Sequence, residues 1–228
     1  MTGILVLCRY SSSRLRGKIL KEIDHKPILQ YILERLGRLN LQWPVVVCTS
    51  EEPSDNPIVS FCKDNGVDYF RGDLENVALR FMDCARGFGL KNAVRINGDN
   101  IFLDSGLIES MILEHQAGGY KFSSNVLQRT FPKGMSVEIV DVEHYLENYP
   151  HFTPEDMEHV MTYFYRQQSA SYYFRFNSLN YGKTLNFAID TQEDFNVAVR
   201  IVELMEHDHT TYDMEKIIEL YRKVNGEK

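Results

Sequence analysis

The first hundred residues alternate short apolar runs with amphipathic segments, and this alternation constrains the fold more than any other feature of the chain. Segments 3–8 (GILVLC), 44–50 (PVVVCTS), 67–72 (VDYFRG) and 93–99 (AVRINGD) read as strands. Runs such as 3–8 and 44–50, apolar along nearly their whole length, are buried on both faces, which is the habit of parallel sheets. Between them, 28–39, 57–65 and 76–88 carry helical periodicity. Pro27 suits the opening of the first of these helices, and Gly66 closes the second. Strand, helix, strand in this order forces right-handed crossovers and a mostly parallel α/β sheet with helices on both faces. Ligands of such sheets sit beyond the carboxyl ends of the strands. Residues 9–18, Arg71, Gly72 and 99–104 therefore share one rim.

The second half has a less regular rhythm. Residues 105–116 read as a helix broken by Gly118 and Gly119, and 121–124 and 136–142 as strands around the loop 128–134 (QRTFPKG), in which the composition of 132–134 suits a mobile lid. A helix over 154–168, strands over 172–177 and 184–190, and helices over 191–206 and 213–224 complete the chain. This predicts a smaller mixed-strand subregion. No linker separates two domains, so 1–228 is expected to be a single domain.

The formal charge of -7 argues against a general nucleic-acid binder, since such binding draws on phosphate neutralisation. It leaves room for a small anionic ligand in a local basic pocket. The apolar stretch 4–8 is far too short for a secretory core or a membrane span. Cys8, Cys48, Cys62 and Cys84 show no CxxC spacing and read as reduced core thiols of a cytoplasmic protein.

Three segments can carry chemistry. The loop RYSSSRLRGK (9–18) joins three hydroxyls to Arg9, Arg14, Arg16 and Lys18. It matches neither the Walker spacing nor GxGxxG, but arginine grips phosphate bidentately and lysine neutralises it as a point charge. The alternative is a solvated basic loop. In RINGDNIFLD (95–104), Asp99 directly follows a buried strand and can hold a divalent metal at the rim, or simply serve a Gly-Asp-Asn turn. Asp104 can cap the next helix. In FAIDTQEDF (187–195), Asp190 ends a strand and is a second metal candidate, whereas Thr191 and Asp194 approach a capping box. His207 and His209 lack an obvious third ligand, and His159 can either pack in its helix or touch substrate. No GxSxG elbow or Ser-His-Asp spacing is present.

Taken in order, ILVLCRYSSSRLRGKIL, KPILQYILERL, VRINGDNIFLD, FPKGMSVEI, EDMEHVMTY and AIDTQEDF resemble the bacterial sugar cytidylyltransferases, in particular the spore-coat polysaccharide branch. The resemblance extends over nearly the whole chain. It implies a GT-A-like nucleotidyltransferase with 1–104 as the nucleotide-binding half and 105–228 as the acceptor- and dimer-facing half. By the same resemblance, Arg9, Ser12, Ser13, Arg14 and Lys18 surround the triphosphate of CTP and Arg80 lies near the nucleotide. Asp99 and Asp190 hold Mg2+, and Glu138 and His159 face an acidic, sugar-like acceptor. Arg71, on the same rim, joins the nucleotide-side candidates, and Arg14, Lys18 and Asp99 are the expected catalytic set. A homodimer without nucleic-acid or membrane partners is implied. The chain departs from the family pattern at Arg16, Leu79, Ile101 and Ser136. Those departures keep open a diverged nucleotide binder without turnover, and the GDN segment keeps open a metal-dependent glycosyltransferase.

Overall fold

A computed structural model describes residues 1–11, 14–39 and 43–226. β1 (Thr2–Leu7) is followed by a small hairpin of β2 (Glu22–Ile23) and β3 (Lys26–Pro27). The hairpin turns on Asp24 and His25, both at positive φ, and the sequence reading missed it. Then come α1 (Ile28–Leu36), β4 (Val45–Ser50), α2 (Asn56–Asp64), β5 (Asp68–Gly72), α3 (Val77–Gly87) and β6 (Asn92–Asn97). The second half runs α4 (Ser105–Gly118), β7 (Phe122–Ser124), β8 (Glu138–Asp141), α5 (Val142–Asn148), α6 (Pro154–His159), α7 (Thr162–Tyr165), β9 (Tyr172–Phe174), α8 (Gln192–Glu203) and α9 (Met214–Asn225).

The main sheet has the order β5-β4-β1-β6-β8-β7-β9. β5, β4, β1 and β6 are parallel, as the alternation predicts. β8 pairs antiparallel to both β6 and β7, and β9 runs parallel to β7. The irregular second half thus extends the same sheet, so both halves of the chain are built on it. Ile4, Val6, Val47, Val94 and Ile96 face one layer, packed with α1, α2, α4, α8 and α9. Leu5, Leu7, Val46, Cys48 and Ala93 face the other, packed with α3, α5 and α7. The period-two alternation of β1 therefore serves two cores at once. All four cysteines are buried and free.

Three expectations need correction. The helix expected over 154–168 is broken at Val160, whose φ of 66° and ψ of -50° place it in a γ-turn closed by a 2.7 Å bond from the Met161 amide to the His159 carbonyl. That conformation is rare and strained, above all for a β-branched residue. Core burial of Val160 and Met161 and a hydrogen bond from the Tyr145 hydroxyl to the Val160 carbonyl hold it. The strand expected over 184–190 is an extended segment with one isolated bridge, Lys133 to Asn186, because its neighbours are a loop and the Asp99 carbonyl rather than a strand. That pairing also fixes the loop expected to be a lid. The Lys133 amide donates to Leu185, the Phe187 amide donates to Lys133, and Gly134, at φ 90°, lies so close to Phe187 and Ala188 that a side chain would clash.

Candidate active site

β1 and β6 are neighbours with Leu7 opposite Asn97, so the loops that follow them emerge side by side. This brings Lys18, from the first loop, to Asp99, from the second. The Lys18 Nζ stands 3.4 Å from Asp99 Oδ2 and 3.2 Å from Asp190 Oδ1, and donates to the Ile189 carbonyl at 2.7 Å. Arg14 adds a 2.9 Å ion pair with Asp190. Asp190 is held by its neighbours. The Thr191 and Asp194 side chains form a full capping box at the start of α8, and Asp194 Oδ2 also accepts from the Asp190 amide at 3.1 Å. The Ile189 amide donates to the Asp99 carbonyl, tying the two acidic segments together.

These groups border a cavity of 650 Å³. Leu7, Arg95 and Asn97 of β1 and β6 line it together with Asn76 and Arg80 at the start of α3 and Met157, Glu158 and His159 of α6, which packs against α3. Arg9, Arg14, Lys18, Asp99 and Asp190 all line it. Arg80 is buried, with its Nη1 donating to the Asp73 carbonyl. Burial pushes its guanidinium below the ordinary arginine value. Burial also raises the Asp99 carboxyl above the usual carboxylate range; Lys18 pulls it back, and the charge of Asp190 raises it again. One oxygen of Asp99, Oδ1, is buried with no partner among the described residues.

The remaining candidates lie elsewhere. Ser12 and Ser13 fall outside the described residues. Arg71 does not line the cavity. Its guanidinium is taken by the Ser50 and Glu52 carbonyls and by Asn56, so it braces the segment after β4. Glu138 is buried, and it accepts from Arg95 Nη1 at 2.5 Å and from the Tyr165 hydroxyl at 2.6 Å. Arg95 is therefore the residue through which Glu138 reaches the cavity. Burial alone would lower the Arg95 pKa, but Glu138 outweighs burial and holds it above the ordinary value. Sequence reasoning singled out neither Arg95 nor Asn97, Asn76 and Glu158. For Arg95 a signal existed, since a charge inside a buried strand has to be paired.

Asp104 caps α4 through the Leu107 amide and also accepts from the Met214 amide, so it joins two helices and stands apart from the cavity. His209 pairs with Glu34, and among the described residues no group of three or more His, Cys, Asp or Glu side chains could hold a metal by itself. Nor is any described helix long and apolar enough to cross a membrane.

The arrangement gathers cations and two carboxylates in one cavity, beside the polar side chains of Asn76, Arg95 and Asn97. It can seat a polyphosphate with its charge offset and leaves room for a second substrate. Comparisons with known proteins point the same way. The spore coat polysaccharide biosynthesis protein SpsF of Bacillus subtilis is 28% identical over 205 residues, 84% of this chain and 82% of its own. A cytidylyltransferase from Leptospira borgpetersenii superposes with a TM-score of 0.90 at 29% identity, over 99% of this chain and 95% of that one. CMP:2-keto-3-deoxy-manno-octonic acid synthetase, solved with CTP, shares the fold at a TM-score of 0.65 and 14% identity, over 89% of this chain and 98% of that one. The cytidylyltransferase family profile matches residues 3–226, and the chain accordingly belongs to that family of CTP-dependent nucleotidyltransferases.

Proposed function

We propose that the protein transfers CMP from CTP to an acidic, sugar-like acceptor with release of pyrophosphate, supplying a precursor for a surface polysaccharide or glycoconjugate. The observation that carries this reading is the convergence of Arg14, Lys18, Asp99 and Asp190 in one cavity that Arg95 and His159 also line. Relatives named for spore coat polysaccharide biosynthesis and for 3-deoxy-manno-octulosonate cytidylyl transfer support the acceptor class.

In this reading Arg9, Arg14 and Lys18 bind the triphosphate, and Arg80 lies against the nucleoside. Transfer of this kind depends on positioning and charge stabilisation rather than covalent help from the protein. Lys18 and Arg14 offset the charge that builds on the departing pyrophosphate. His159, on α6, contacts the acceptor, and Glu138 acts there only by holding Arg95.

Asp99 and Asp190 fit Mg2+. Magnesium takes one or two carboxylates plus substrate phosphates rather than an all-protein cage. The unpartnered Asp99 oxygen and the lysine shared by both carboxylates suit a cation there. When bound, the ion would polarise the α-phosphate. We further propose a cytoplasmic homodimer, for which sedimentation should give twice the chain mass.

The test is pyrophosphate release from each NTP with Mg2+ and a panel of acidic sugars that includes 3-deoxy-manno-octulosonate. Release with CTP and one acceptor, lost in Asp99→Asn, is expected. Calorimetry that finds no nucleotide binding would overturn the reading. Tight CTP binding with no turnover across the panel would favour the diverged binder suggested by the departures at Leu79, Ile101 and Ser136.

A further inference from the structure

Asp55 occupies the N-cap position of α2 yet makes no cap hydrogen bond. An aspartate there normally satisfies a free amide of its own helix. Here the carboxylate turns inward and is fully buried. Its Oδ2 accepts from the Ser50 amide at 2.9 Å, the Thr49 hydroxyl at 2.9 Å and the Ser50 hydroxyl at 2.5 Å, all at the end of β4. Its Oδ1 accepts one bond, from the Tyr10 amide at 2.7 Å, across 45 positions of sequence. No basic side chain forms a salt bridge with it among the described residues. Burial pushes its carboxyl up, but the bonds from Ser50, Tyr10 and Thr49 outweigh burial and keep it low, so it is ionised at neutral pH.

Tyr10 is the stem of the loop that bears Arg9, Arg14 and Lys18. Its carbonyl accepts from the Gly17 amide at 2.9 Å, and its ring lies against Gly17, where a β-carbon would meet it at 2.9 Å. With its carbonyl on Gly17 and its amide on Asp55, Tyr10 closes the loop on itself and fastens it to β4. The Cys8 amide, bonded to the Cys48 carbonyl, makes the adjoining link. Asp55 itself does not line the cavity. The Tyr10 bond is charge-assisted and shielded from water, the combination that makes such bonds strong and directional.

We propose that Asp55 is a positioning residue for triphosphate binding, fixing through the Tyr10 amide the pose in which Arg9, Arg14 and Lys18 meet the phosphates; this rests on the reading of the cavity as a CTP site. A purely structural Asp55 would weaken CTP and CMP binding alike. A positioning Asp55 weakens CTP far more, because CMP lacks the β- and γ-phosphates.

The experiment is calorimetric titration of CTP and CMP into the protein, Asp55→Asn and Thr49→Val. Thr49→Val disturbs the same buried cluster but leaves the Tyr10 bond. The preference for CTP over CMP should fall about tenfold in Asp55→Asn, the scale of one hydrogen bond to a charged group, and hold in Thr49→Val. An unchanged preference in Asp55→Asn, or an equal loss in both variants, overturns the proposal. Should Asp55→Asn fail to fold, Tyr10→Pro against Tyr10→Ala decides. Both delete the ring and only the first deletes the amide hydrogen, so equal preferences in the two overturn the proposal. Absence of CTP binding by the unaltered protein instead removes the CTP reading itself.

Discussion

Arg95 and Glu138 illustrate how single residues divide labour in this molecule. Arg95 lies on β6 among the apolar Ala93, Val94 and Ile96, and its side chain is 17% exposed against 5% for Glu138. The pair is mutually dependent, since a lone charge in that position would be poorly solvated. Glu138→Gln should lower unfolding free energy by about 3 kcal/mol, the usual cost of leaving a buried charge unpaired, measured by urea titration. A neutral result would mean that water, rather than Glu138, solvates Arg95.

Two helix starts hold residues that line the cavity. α8 begins at Thr191 with a capping box, and the same Asp194 carboxylate holds the Asp190 amide. Thr191→Ala should cost about 1 kcal/mol as a lost cap and also slow pyrophosphate release, because Asp190 loses the order of its turn. A stability loss with full turnover would show the cap to be independent of the site. At the α6 end, the break between α6 and α7 rests on Asp156. It is fully buried and accepts from Thr153, Thr162 and, through both oxygens, Arg166. Burial pushes its carboxyl up, but these bonds outweigh burial and hold it far below the usual range. A carboxyl depressed in the folded state stabilises at any pH above its unfolded value and loses that contribution as pH falls toward the folded value. Asp156→Asn should therefore unfold at lower urea than the unaltered protein at neutral pH, with the gap narrowing below about pH 4. A gap independent of pH would remove the charge from the explanation.

For the whole molecule, the active end of the sheet is built at some expense of stability. Asp99 is held above its ordinary pKa by burial and by Asp190, with Lys18 only partly offsetting them. A raised carboxyl favours folding below its unfolded pKa and loses that contribution as pH rises through the folded value. At neutral pH its ionisation thus works against the ligand-free fold, and Asp99→Asn should raise the thermal midpoint of the free protein. The same variant should lose most of the midpoint increase that CTP and Mg2+ together give the unaltered protein, since only a ligand bound to the native state stabilises it. A scan in which Asp99→Asn lowers the free midpoint and keeps the ligand shift would exclude Asp99 from the site.

Much of this was legible in the chain itself. The apolar runs at 3–8, 44–50 and 93–99 place β1, β4 and β6, because a parallel strand buried on both faces needs apolar side chains on both. The rim positions of Arg14, Lys18 and Asp99 follow from that order, and the caps of α4 and α8 follow from local chemistry. Other features depend on partners far away in sequence. The γ-turn at Val160 is tolerated because Tyr145 and the core enclose it. The 184–190 segment does not join the main sheet, because its backbone meets a loop residue, Lys133, and the Asp99 carbonyl rather than a strand. Arg71 and Glu138 have residue types suited to substrate contact, yet hydrogen bonds to Ser50, Glu52 and Asn56 occupy the one, and Arg95 and Tyr165 enclose the other. Local sequence thus determined the strands, most helices and the charged rim, whereas the direction in which each charged side chain is spent was decided by tertiary packing, because a buried charge goes wherever its partners are.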